Sequence, residues 1–392
     1  MSSVLIRNIG ALVSGDLAHP LIEADAIYIE DGLFREVGSS RTDADTVIDA
    51  NGLTVSPGLV DSHVHPTFGD HTPVANSVGW IRAYLHGSGT TTMVSAGEQH
   101  LPGLPYDPPD PQILLYEAIV ARKLWSAHRP GGVKVRAGTL LVVPGFDESS
   151  FDQLAQAGCT NVKFIFYPFH KDPDEGRAYI KWSRARGITT KVHSGGVSRS
   201  GVSQPAFAEE IEMLQPDVVG HITGGPIAMS ARDMERVITE TNCWLEVVSG
   251  ANYRRNYEFY EMVKKHKAWD RVIFGTDTPS GAGIMPRGML RNLLFPSGIN
   301  GLPPEEAICM ASGSVAKAHG LDVGVIAPGR PADVVIMGHV QGSVATSALE
   351  SIAQGDLPGI SCVLVDGKLI VRDRAEQTPP PERIVRIEKE PS

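Results

Sequence analysis

Several features are scarce in this 392-residue chain, and each scarcity argues against a class of protein. Cysteine occurs four times, at Cys159, Cys243, Cys309 and Cys362, far apart and never as Cys-x-x-Cys. That spacing speaks against a disulfide framework or a thiolate metal site, so buried free thiols in a reducing cytoplasm are expected. Basic residues are outnumbered, 35 against 45 acidic ones, for a net charge of -10 spread along the chain. Such a balance argues against a nucleic-acid or anionic-membrane partner. No apolar run reaches membrane-spanning length. Residues 1–15 lack a basic start followed by an apolar core, so no signal peptide is expected. No low-complexity segment is visible either.

What is present is an ordinary soluble composition, 42% hydrophobic and 20% charged. The length suits one barrel-sized domain plus a small one. Apolar runs at 59–65, 90–96, 133–142, 161–166, 189–193, 218–222, 244–248 and 271–276 read as strands. Amphipathic stretches at 111–128, 174–186, 230–241 and 257–267 lie between them and read as helices. Ser230-x-x-Asp233 resembles a capping box, and Pro303-Pro304-Glu305-Glu306 opens a further helix. Eight apolar strands separated by helices predict a parallel (β/α)8 barrel over 58–323. An open doubly wound sheet is the alternative. It usually carries a glycine-rich first turn, and the first strand here ends in histidines instead. Short turn-punctuated strands at 4–8, 26–30, 33–37, 46–49, 333–337, 361–365 and 368–371 predict a small β-sandwich domain built from both ends, 1–57 and 324–376. Residues 55–58 would lead into the barrel, Asp366-Gly367 would turn a hairpin, and 377–392 would be a peripheral tail.

The run Pro57-Gly58-Leu59-Val60-Asp61-Ser62-His63-Val64-His65 ends in two histidines one residue apart. In a strand, residues i and i+2 share a face, so both imidazoles aim at one spot, a pairing that suits zinc. In a barrel, active-site groups sit at the C-terminal ends of strands. Those ends supply His63 and His65 from strand one, Lys163 from four, His193 from five, His221 from six and Asp277 from eight. Each histidine alone fits a satisfied core or surface role better; the set predicts a metal site. Lys163 sits in Val162-Lys163-Phe164-Ile165-Phe166, where a charged amine is costly. Either it faces the surface or an ion-pair partner, or its neutral amine has added carbon dioxide to form a carbamate that bridges two cations. Asp277 fits a metal ligand and proton acceptor, or a turn or helix-cap aspartate. Glycines after His193 and His221 leave room near a metal, or are ordinary loop residues. Glu98, His100, Asn252, Tyr253, Arg254, Arg255 and Arg287 follow strands two, seven and eight, where an arginine could pair with a substrate carboxylate.

The Pro-Gly-x-x-Asp-x-His-x-His motif and the run Gly324-Val-Ile-Ala-Pro-Gly-Arg-Pro-Ala-Asp333 resemble the amidohydrolase superfamily over nearly the whole chain. Within it, His221-Ile-Thr-Gly-Gly-Pro226, Phe274-Gly-Thr-Asp-Thr-Pro-Ser-Gly281, Met289-Leu-Arg-Asn292 and Gly355-Asp-Leu-Pro-Gly-Ile360 resemble the enamidases. One departure matters. Enamidases carry a glutamate near the end of strand four, whereas 161–168 holds no acid, and its Lys163-x-x-x-x-Pro pattern looks more like hydantoinases and dihydroorotases. The resemblance implies two divalent ions, zinc first, with an iron–zinc pair or manganese as alternatives. His63, His65 and Asp277 would hold the inner ion, His193 and His221 the outer one, and carboxylated Lys163 would bridge them. It further implies hydrolysis of an amide C–N bond by water activated between the ions, with Asp277 carrying the proton to the leaving nitrogen. The substrate would be a small cyclic amide, enamide or imide, with open-chain N-acyl or aryl amides as the alternative. A deaminase of the same superfamily would need an acid soon after His193, and Ser194-Gly195-Gly196-Val197 has none. An inactive barrel serving as an interaction scaffold is the remaining alternative. A cytoplasmic homo-oligomer, dimer or tetramer, is expected.

Overall fold

A computed structural model describes residues 2–66, 80–97, 110–198, 203–225, 227–279, 281 and 283–391. Its centre is a (β/α)8 barrel. Barrel strands one to eight are Leu59–Val64, Thr90–Ser95, the pair Lys134–Arg136 and Thr139–Val142, Asn161–Phe164, Thr189–His193, Val218–Gly220, Trp244–Val248 and Val272–Gly275. All neighbouring pairs run parallel. Each strand is buried on both faces, which is why they read as apolar runs without alternation. The third strand, expected to be continuous, is broken at Ala137–Gly138. Gly138 has φ 94°, and a Cβ there would lie 2.6 Å from the Cβ of Arg122, on the helix Pro111–Ala127. The chain therefore needs glycine where helix and strand approach this closely.

The barrel closes between strands eight and one. Asp277 N–H donates to His63 O at 2.8 Å, and His65 N–H donates to Thr278 O at 2.7 Å. Asp61 reinforces the seam, accepting from Thr276 N at 2.9 Å and Thr276 Oγ1 at 2.5 Å. Gly275 is required here, because a Cβ would come within 2.6 Å of the His63 Cβ. Val60, Val94, Val218 and Ile273 pack with Val315, Ala316 and Ala318 of the helix Gly313–Ala318. Burying each such valine or isoleucine contributes roughly 1.5–3 kcal/mol.

Both chain ends fold beside the barrel as two sheets, one of five strands and one of six. Alternate residues Val4 and Ile6, and Ile27 and Ile29, face Val334, Ile336, Cys362 and Leu364 across an apolar core. Asp366 and Gly367 have φ of 46° and 70° and join Gly359–Val365 to Lys368–Val371 as a tight hairpin. Two strands refine these expectations. The lead-in to the barrel is itself a strand, Thr54–Pro57, paired with Val334–Gly338. The segment 377–392 is peripheral but also contributes a strand to the composite domain, because Arg386–Lys389 pairs antiparallel with Thr46–Asp49 at the sheet edge. Its short length and charge hid the strand, which is the usual disguise of an edge. Among the described residues no helix is long and apolar enough to cross a membrane.

Candidate metal centre

The C-terminal ends of the barrel strands bring six of the expected side chains to one place, all nearly or fully buried: His63, His65, Lys163, His193, His221 and Asp277. His63 and His65 leave strand one on the same side, their ring centroids 5.2 Å apart. Asp277 Oδ1 lies 3.1 Å from His65 Nε2 and 3.5 Å from His63 Nε2. One donor atom from each of these three residues falls within 4.8 Å of the others, a grouping able to hold a cation. His221 lies 5.3 Å from His63 and 4.6 Å from His193, ring to ring. Lys163 Nζ sits 3.0 Å from His63 Nε2. Asp277 and His221 have φ of 60° and 40°, a region side chains rarely adopt and one typical of functional sites.

The hydrogen bonds leave nitrogen lone pairs facing the centre. His63 Nδ1 bonds Glu246 Oε2 at 2.5 Å, and His65 Nδ1 bonds the Gly97 carbonyl at 2.7 Å. Each ring then holds its proton on Nδ1 and points Nε2 inward. His193 uses Nε2 instead, bonding Gly196 O at 2.7 Å. Among the described residues the Nδ1 atoms of His193 and His221 are buried with no hydrogen-bond partner. Orphaned buried nitrogens are costly in a finished protein, and a cation would satisfy both. The donor set therefore fits divalent metal. Gly225 and Gly281 leave space for Asp277: a Cβ on either would fall 2.7 or 2.0 Å from Asp277 Oδ2.

The electrostatics agree. Burial, then the nearby Lys163 charge, lowers His63 well below the usual imidazole range. Burial pushes His193 down to about 4, and burial with His193 nearby lowers His221. These imidazoles are neutral at pH 7, as ligands must be. Burial lowers the Lys163 amine to about 8 against the pull of Asp277. It raises the Asp277 carboxyl to about 6 against the pull of Lys163. A nearby cation would favour the ionised carboxylate further.

Among the described residues, those expected to bind substrate have partners or exposure outside this cluster. Asn252 caps the helix Tyr253–His266, accepting from Arg255 N at 3.1 Å, so that helix begins four residues before the expected start. Tyr253 is 78% exposed. Arg254 and Arg255 both pair with Glu258 on their own helix. Arg287 is exposed at the start of the helix Gly288–Gly298, with no capping bond from its side chain. Glu98 and His100 lie outside the described residues. Glu246 and Lys191 escaped the sequence reading altogether. They sit in the apolar strands Trp244–Val248 and Thr189–His193, and the cost argument applied to Lys163 would have singled them out.

Comparison with known proteins completes the picture. The chain is 40% identical to the enamidase of Eubacterium barkeri over 99% of its length and all of that protein's. The chain belongs to the amidohydrolase superfamily. The amidohydrolase family model matches residues 219–370. A crystal structure of enamidase superposes with a TM-score of 0.91 at 39% identity, covering 98% of this chain and 100% of that one. The imidazolonepropionase of Salinispora tropica is 25% identical over 86% of this chain and 92% of its own. A D-hydantoinase, 18% identical over 95% of each chain, shares the fold with a TM-score of 0.64. As an amidohydrolase the chain is a metal-dependent hydrolase acting on C–N bonds other than peptide bonds.

Proposed function

We propose that this chain is a binuclear hydrolase that opens a small cyclic amide, enamide or imide at its C–N bond. The observation that carries the two-ion reading is the pair of buried, unpartnered Nδ1 atoms on His193 and His221 beside the His63–His65–Asp277 group. In this reading His63, His65 and Asp277 would hold one divalent ion, His193 and His221 would hold the other, and Lys163 as a carbamate would serve both. Zinc is the first expectation, with an iron–zinc pair or manganese as alternatives. When bound, the ions polarise the amide carbonyl and acidify water. Asp277 takes the proton from the attacking water and delivers it to the nitrogen as the C–N bond breaks, because an unprotonated amide nitrogen leaves poorly. The lowered basicity of Lys163 supports the carbamate, since only a neutral amine adds to carbon dioxide and sheds a proton to become the anion.

Residues 58–323 form the catalytic unit in this account, with 1–57 and 324–376 as its composite companion. The four cysteines are buried and none is in a disulfide, which suits the cytoplasm. Ile113, Tyr116, Val120 and Leu124 lie exposed along the helix Pro111–Ala127, an apolar stripe that suits a homo-oligomer. The test is a turnover screen of the metal-loaded enzyme on cyclic amides, imides and enamides beside linear N-acyl amino acids and aryl amides. Ring opening of a cyclic member is expected. Turnover confined to linear amides would overturn the substrate class, and no turnover of any amide would favour a scaffold.

A further inference from the structure

The Glu246 carboxylate is fully enclosed in the barrel, beside the candidate metal ligands His63 and His221. Four donors surround it. Ser62 Oγ–H and Lys191 Nζ at 2.6 Å share Oε1, while His63 Nδ1 at 2.5 Å and His221 N–H at 3.3 Å share Oε2. Four donors exhaust a carboxylate's acceptor sites. Glu246 is therefore held outside the centre and not free to turn and take a cation itself. Lys191 Nζ also donates to Ser62 O at 2.6 Å, so the lysine is fixed to the first strand as well. Both groups are buried, Glu246 completely.

We propose that Glu246, charge-balanced by Lys191, is a positioning residue for the metal centre: it holds His63 in the tautomer that points Nε2 inward and ties together the strands bearing His63, His193 and His221. The connections come from the topology. Glu246 is on the seventh strand, Ser62 and His63 are on the first, and Lys191 is on the fifth, two residues before His193. The N–H of His221 itself closes the fourth contact. A carboxylate behind a ligating imidazole raises its basicity and fixes its orientation. Lys191 keeps that carboxylate from being an isolated buried charge, which would be strongly destabilising. The inference rests on the proposed role of His63 as a metal ligand.

The test compares the full-length protein with Glu246→Gln, Lys191→Met and the double variant, all stripped of metal. Zinc affinity is measured by competition with a chromogenic chelator, and the metal-free thermal midpoint is recorded beside it. Glu246→Gln is expected to bind zinc about 10- to 100-fold more weakly. In the double variant no charge is left alone, so the thermal midpoint recovers toward the unaltered protein while the zinc affinity stays depressed. A purely structural pair would recover both together. A double variant that binds zinc as tightly as the unaltered chain overturns the proposal, and so does one that fails to fold. If the unaltered chain takes up no zinc, the binuclear reading itself fails, a result distinct from either of these.

Discussion

The small sandwich and the mouth of the barrel bury their side chains under opposite rules. In the sandwich, Ile6, Ile27, Phe34, Ile48, Val334, Ile336 and Leu364 meet in a core in which aliphatic and aromatic groups fill the space. At the mouth, four imidazoles, Lys163, Lys191, Asp61, Glu246 and Asp277 are buried together. The first arrangement stabilises the chain by itself. The second costs free energy through desolvated charges and unpaired nitrogens, a cost that the proposed cations would offset. Stability therefore resides in the sandwich and the outer barrel core, while the proposed chemistry would occupy a region that is costly without its cations.

Asp277→Asn should give the largest effect. The fold and midpoint should persist while kcat falls by about 10²–10⁴, the usual range for a lost proton carrier; steady-state kinetics with thermal melts would check it, and near-normal turnover would remove the proposed base. Lys163→Ala should lose metal and activity together, with partial recovery on adding a short-chain carboxylate that can stand in for the carbamate. Metal analysis with and without formate decides this, and full activity without rescue would discount the bridge.

Acid should act on the metal-free mouth through His193. Its folded pKa of about 4 lies below the unfolded value near 6.5, so between these pH values the unfolded chain binds more protons. This group's contribution to stability is complete above about pH 6.5 and is lost as pH falls toward 4, on the order of 3 kcal/mol. Denaturant titrations across pH should show His193→Gln flattening that acid limb. An unchanged pH profile would contradict the assignment. Ile336→Ala in the sandwich should cost about 2–5 kcal/mol by leaving a cavity, with metal content per folded chain unaltered. A loss of metal there would erase the contrast between the two regions.

Much of this was legible in the sequence, for physical reasons. Barrel strands buried on both faces leave continuous apolar runs, so all eight can be read. The candidate ligands sit where those runs stop, which is why His63, His65, His193, His221 and Asp277 can be picked out together. Glu246 and Lys191 were missed because one charged residue inside an apolar run carries no periodic signal, and each makes sense only beside a partner 55 positions away. The pocket's specificity was least legible. Asn252, Arg254 and Arg255 have the polarity of substrate-binding groups, yet a helix cap and two helix-surface ion pairs account for them. Loop side chains have many equivalent local partners, and sequence alone does not choose among them.

Elemental analysis of the purified protein, by mass spectrometry after gel filtration, bears most directly on the centre. About two divalent ions per chain, falling on Lys163→Ala, is the expected result. A stable, correctly folded chain that contains none and takes up none from added zinc would contradict it.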